Sequence, residues 1–208
     1  MKVYIVGEDS VTSAIIRKVI NYCTKEIEII TELPARGGQI KSKISEFNKL
    51  SASFPVILLT DLDATICAPE LLRQLIPNDK HENFIFNIAI DEAEAWLMAD
   101  RKGFSEYFGI DIDEIPQSVP KKQGGRKALT EMDFHYKSSM FLTHELIKKS
   151  KKKELILQLT PKVGASKGPE YNSGILPFIE KKWSINEACI NSDSLSRMIG
   201  RITTLVNS

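Results

Sequence analysis

The sequence predicts an α/β protein built on a parallel sheet flanked by helices, and three observations carry that prediction. Short apolar runs recur at residues 3–6, 56–59 and 84–90, each bounded by turn residues in the manner of buried parallel strands. Segments with helical spacing of apolar residues lie between them, the rhythm of a sheet wound with right-handed crossovers. Acidic residues stand directly behind the runs: Glu8 behind the first, Asp61 and Asp63 behind the second, Glu92 and Glu94 behind the third. In an open α/β sheet, ligands gather at the carboxyl ends of the strands.

Taken in order, the first run enters Gly7-Glu8, and Asp9-Ser10 can then cap a helix over residues 11–23, with Ile15, Ile16, Val19 and Ile20 on one side. A second strand is expected at 26–31, broken by Pro34 and the Arg36-Gly37-Gly38 turn, and a helix at 40–50. The strand at 56–60 follows. Pro69 sits where helices begin and opens a short one to Leu75. After the strand at 84–90, residues 91–99 have strong helical propensity. The pattern changes near Ile115: residues 116–126 form a loop or lid rich in Pro, Gly and Lys, and helices are expected at 140–148, 153–159 and 194–206. Residues 1–115 are therefore read as a metal-binding α/β domain. Residues 116–208 are read as a basic, mainly helical extension packing on it.

Charge divides along the same line. The net charge is +1, yet residues 1–115 hold 12 Lys/Arg against 19 Asp/Glu, while residues 116–208 hold 16 against 8. An acidic half suited to cations is joined to a basic half suited to phosphates. Cys23, Cys67 and Cys189 are far apart, which suggests neither a disulfide framework nor a zinc site. No apolar run has bilayer length, and the first residues lack a signal-peptide pattern, so a cytoplasmic home is expected.

The carboxylates suggest the chemistry. Asp61 and Asp63 leave the end of one apolar strand and Glu8 the end of another; like charges gathered there are costly unless a cation lies between them. Hard oxygen donors suit Mg²⁺ or Mn²⁺. Each acid also has a bland reading. Glu8 alone is more simply a capping residue beside a helix N-terminus, and Asp-x-Asp also makes ordinary turns and occurs at the metal site of many glycosyltransferases. Glu92 and Glu94 are two apart, so on a helix at most one would face the site, unless the helix starts later and Glu92 lies in the loop. One further acid from this pair would allow a second ion, the arrangement that clamps attacking and leaving oxygens in phosphoryl displacement. Arg36, Lys41 and Lys43, behind the second strand, fall on the same face as the acids. With Lys162 and Lys167 they are candidates for positioning phosphates. His81, His135 and His144 are too scattered for a motif, and no nucleophile elbow or catalytic triad spacing appears.

The strand ending in Glu8, the later strand ending in Asp61-x-Asp63 and the Rossmann-like alternation between them resemble the Toprim domain. More closely, the chain resembles a family of small stand-alone Toprim-like proteins of unknown function related to OLD-family nucleases. Three segments carry that likeness: residues 90–100 (IDEAEAWLMAD), 167–172 (KGPEYN) and 192–197 (SDSLSR). Here Gly7 precedes Glu8, where many Toprim sequences have Glu-Gly, so Asp9 can share the work of the first acid. The resemblance implies a metal-dependent nuclease cleaving nucleic-acid phosphodiesters, DNA ahead of RNA, in a phage-defence or mobile-element setting. Glu8, Asp61, Asp63 and Glu92 would be catalytic, one or two Mg²⁺ or Mn²⁺ ions would be held by these with Glu94, and an ATPase would be a partner. Two rivals stand beside it: a non-catalytic Toprim-like subunit that binds nucleic acid or an ATPase, and a phosphotransfer or nucleotide-hydrolysing enzyme acting on free nucleotides.

Overall fold

Four strands pair in parallel, in the order β2-β1-β3-β4: β1 (Lys2–Gly7), β2 (Glu28–Glu32), β3 (Val56–Asp61) and β4 (Phe84–Ala89). The computed structural model describes residues 1–35, 39–62, 67–76, 79–122 and 128–207. Helix α1 (Ser10–Cys23) crosses from β1 to β2, α2 (Gln39–Leu50) from β2 to β3, and α3 (Ala68–Leu75) from β3 to β4.

Register places the acids together. Gly7 pairs with Leu59 across β1 and β3, and Asp61 pairs with Ala89 across β3 and β4. The residues following all three strands thus leave the sheet at one end. Alternation of side chains along each strand then divides the core between two faces. Val3, Ile5, Ile57, Leu59 and Ile85 pack with Ile15, Ile16 and Val19 of α1. Val6, Val56, Leu58, Phe84 and Phe86 pack with Ile40, Ile44 and Phe47 of α2. Each such side chain contributes roughly 1.5–3 kcal/mol of burial.

Behind β4 come α4 (Ala93–Ala99) and α5 (Arg101–Phe108), then an antiparallel pair, β5 (Ser118–Lys121) and β6 (Leu129–Met132). The remainder is helical: α6 (Ser138–His144), α7 (Lys153–Leu159), α8 (Tyr171–Lys181), α9 (Ile185–Asn191) and α10 (Asp193–Asn207). These helices join the first face of the sheet, since Ile175, Phe178, Ile179, Leu195, Met198 and Ile202 share one buried cluster with β1 and α1. Hydrogen bonds reinforce the junction: the Trp96 indole donates to Ser194 Oγ (2.8 Å), and the Trp183 indole donates to the Trp96 carbonyl (3.2 Å).

The strands and the helices α1 to α3 fall close to their expected positions. In place of a bare lid, β5 and β6 flank residues 123–127, which lie outside the described residues. Among the described residues no helix is long and apolar enough to cross a membrane.

Candidate acidic metal site

Glycine at position 7 is a matter of space. An added Cβ would lie 2.4 Å from Ser13 Oγ and 2.7 Å from the Ser13 amide, so α1 starts as close to β1 as it does only because no side chain intervenes. The helix begins there because Asp9 caps it: Asp9 Oδ1 accepts from the Val11 and Thr12 amides, and Thr12 Oγ1 accepts from the Asp9 amide. This capping box fixes Asp9 and leaves its second oxygen facing outward from the helix end. Glu8, one residue earlier, accepts from the Thr60 hydroxyl and from the Asp61 amide (3.2 Å), which ties the mouth of β1 to that of β3.

Asp61 reaches forward, and its Oδ1 accepts from the Ala93 amide (2.9 Å), one of the unpaired N–H groups at the start of α4. Glu92 precedes that helix in an extended conformation, φ −141° and ψ 168°. It is therefore released from the helical spacing that would aim it away from Glu94, and both acids line the same cavity. Asp91 has φ 70°, a left-handed backbone unusual for a residue other than glycine. Its carboxylate accepts from the Ser138 amide (2.9 Å), and Glu92 accepts from the Ser139 amide (2.8 Å), so the two acids together hold the start of α6. Lys137 pairs with Glu92 at 3.4 Å.

Glu94 is buried in the first turn of α4 and accepts from the Tyr171 hydroxyl (2.7 Å). Lys167 enters from the segment before α8, 2.9 Å from Asp9 Oδ2 and 3.3 Å from Glu94 Oε1, over the Tyr171 ring at 4.6 Å. Gly168 admits this segment: a Cβ there would stand 2.2 Å from the Gln158 carbonyl oxygen. The result is a cavity of about 220 Å³ lined by Glu8, Asp9, Thr12, Asp61, Glu92, Glu94, Ser139 and Lys167.

The electrostatics are uneven. Burial, reinforced by Glu94, Glu8 and Glu92, holds the Asp61 carboxyl well above the usual carboxylate range, despite the Ala93 hydrogen bond. Burial also raises Glu94, against the pull of Lys167 and Tyr171. For Asp9, burial acts upward, but Lys167 and the helix amide outweigh it and bring the carboxyl below its ordinary value. Burial disfavours the charge on Lys167, yet Glu94 and Asp9 overcome it and hold the ammonium above the normal lysine range. Lys167 thus compensates Asp9 and Glu94, while Asp61 is left among like charges.

Glu8, Asp61, Glu92 and Glu94 are therefore brought together. Asp63 and Arg36 lie outside the described residues. Lys41 and Lys43 stand on α2, with Lys43 donating to the Pro34 carbonyl (2.9 Å), and Lys162 is exposed in the loop after α7. Lys167, expected at a phosphate, sits among the carboxylates. Sequence reasoning did not assign roles to Tyr171, Thr60 or Ser139, although Tyr171 belongs to a segment already singled out. The donor chemistry suits a hard divalent ion, and Asp61 is the residue such an ion would relieve most. Among the described residues, no three acids, histidines or cysteines converge closely enough to hold an ion as they stand.

Residues 7–131 match the model of a family described as a domain of unknown function, DUF4276. That span runs from the last residue of β1 through β2, β3 and β4 and includes every acid of the cavity, and the topology is compatible with a Toprim-like fold in general terms. No curated protein and no solved structure matches the chain.

Proposed function

The chain belongs to the DUF4276 family, and from that premise we propose that it is a Toprim-like subunit that binds nucleic acid, with the acidic pocket as a divalent-cation site governing its conformation. What carries the reading is that the acids of the pocket double as tethers. Asp61 caps α4, Glu92 holds α6, and Glu94 is tied to Tyr171 and Lys167 of the C-terminal region. Mg²⁺ or Mn²⁺ would be held by Glu8, Asp61, Glu92 and Glu94 and would supply positive charge beside Asp61, which stands among like charges. Phosphates would be met by the basic half of the chain, Lys162 among its cations, and by Lys41 and Lys43 of α2, and an ATPase would be a fitting partner for a subunit without turnover of its own.

A second reading is a Mg²⁺-dependent nuclease. One observation favours it: the crowding of Asp61 by Glu94, Glu8 and Glu92, the charge surplus that a metal-assisted phosphodiester hydrolase needs at its centre. One experiment separates the two. Single- and double-stranded DNA and RNA are incubated with the protein and Mg²⁺ or Mn²⁺, and binding is followed in parallel as salt rises. The binding subunit gives salt-sensitive retention with intact substrate. Cleavage that disappears in Asp61→Asn replaces it with the nuclease, and absence of both retention and cleavage refutes both.

A further inference from the structure

A groove runs along the outer side of β4, the edge strand of the sheet, between α3 and α10. A cavity of about 1220 Å³ there is lined by Lys80, Phe84, Phe86, Arg197 and Arg201, with Glu82 as the one acid among its described lining residues. A second, of about 300 Å³, shares Leu72, Phe86, Arg197 and Arg201 with the first, adds Arg73, and continues to Ile88 and Ile90. The groove therefore follows β4 from its beginning to the residue before Asp91 and Glu92.

Two of its cations, Lys80 and Arg201, are held in place by neutral groups. Lys80 donates to the Phe84 carbonyl (2.7 Å), and Arg201 donates to the Phe86 carbonyl and to Asn87 Oδ1, both at 3.1 Å. Arg197 lies one turn before Arg201 on the same side of α10. Carbonyls orient these side chains without cancelling their charge. They also occupy two outward acceptors of the edge strand, the Phe84 and Phe86 carbonyls, which guards that part of β4 against pairing with another strand and argues against a peptide added to the sheet.

We infer that this groove seats the phosphates of a nucleic-acid strand and leads it along β4 toward the acidic pocket. Guanidinium groups match phosphate oxygens in pairs. From Phe84 to Ile90 a strand advances about 20 Å, room for several nucleotides rather than one. Beyond burial, Arg197 lowers the proton affinity of Arg201 and Arg201 that of Lys80, a mutual repulsion that a polyanion would relieve. The inference rests on the nucleic-acid part of the function proposed above and is independent of the cation.

The test is fluorescence anisotropy of the full chain with a labelled single-stranded oligonucleotide of about 12 nucleotides, and separately with a labelled mononucleotide, at several salt concentrations. Arg197→Glu is compared with Lys148→Glu, which makes the same charge change at an exposed position outside the groove. The expected result is oligonucleotide binding weakened about tenfold or more in Arg197→Glu, with a salt dependence shallower by about one counterion, and little change in Lys148→Glu. Equal effects of the two variants, or none, would overturn the groove while leaving nucleic-acid binding in place. Mononucleotide binding lost in Arg197→Glu without oligonucleotide binding would overturn the strand in favour of a nucleotide site. No binding of either probe by the unaltered protein would overturn both the groove and the function proposed above.

Discussion

At Asp61 and Lys167 the acidic pocket carries opposite stresses. Asp61 is pushed toward its neutral form by burial and three neighbouring carboxylates, whereas Lys167 is held charged by Asp9 and Glu94. Asp61→Asn keeps an acceptor for the Ala93 amide and removes the repulsion. It should stabilise the metal-free protein by on the order of 1 kcal/mol, a figure reduced for the solvent that reaches the group. Lys167→Met leaves Asp9 and Glu94 without their cation and should cost about 1–3 kcal/mol, below the range for a fully buried pair because the lysine is partly exposed. Urea unfolding of both variants checks these opposite signs. Glu8 and Asp61 were legible from sequence because each directly follows an apolar run. Lys167 was legible only as a basic residue in a glycine-bearing segment. Its meeting with Asp9 joins residues 158 positions apart, a contact no local pattern specifies.

Among the elements, the helix starts decide the site. Gly7→Ala would drive a methyl group into Ser13 at the first turn of α1, and overpacking of this kind costs about 1–3 kcal/mol, readable as a lowered unfolding midpoint. At α10 the cap comes from another element. Buried Glu131 of β6 accepts from the Ser194 amide (2.6 Å) and from the Ser192 and Ser194 hydroxyls (2.8 and 3.0 Å). Burial nevertheless pushes its carboxyl up from 4.5 to about 7. The folded state therefore binds a proton more tightly than the unfolded chain. The stability this gives is complete below pH 4.5 and is lost as pH rises to about 7, by up to roughly 1.4 kcal/mol per pH unit. Glu131→Gln should flatten that part of a stability-against-pH curve. Strand spacing and the Asp9 cap made β1, α1 and β3 readable in advance. Glu92 was readable only conditionally, because whether it lies in the loop or shares the helix with Glu94 depends on where α4 begins, and Asp61 from another strand bonds that start. Helix α8 escaped because Pro177 lies within it and interrupts the helical signal.

Over the whole molecule, the acidic and basic halves are joined by one core. The cluster on the first face of the sheet draws β1, α1, α4, α8 and α10 together, and Trp96 is bonded to Ser194 across it. A chain ending at Ile115 would expose the side of α1 that α8 and α10 cover. It is expected to lose cooperative thermal unfolding and to bind a hydrophobic dye. The alternating pattern revealed the parallel sheet. The placement of the C-terminal helices against α1 depends on long-range packing and was not readable. The central claim, that the pocket takes a divalent cation, is tested most directly by the thermal unfolding midpoint with and without Mg²⁺ and Mn²⁺, for the unaltered protein and Asp61→Asn. A midpoint raised by the ions in the former, and little changed in the latter, is the predicted result. Equal responses in both, or no response in either, would contradict it.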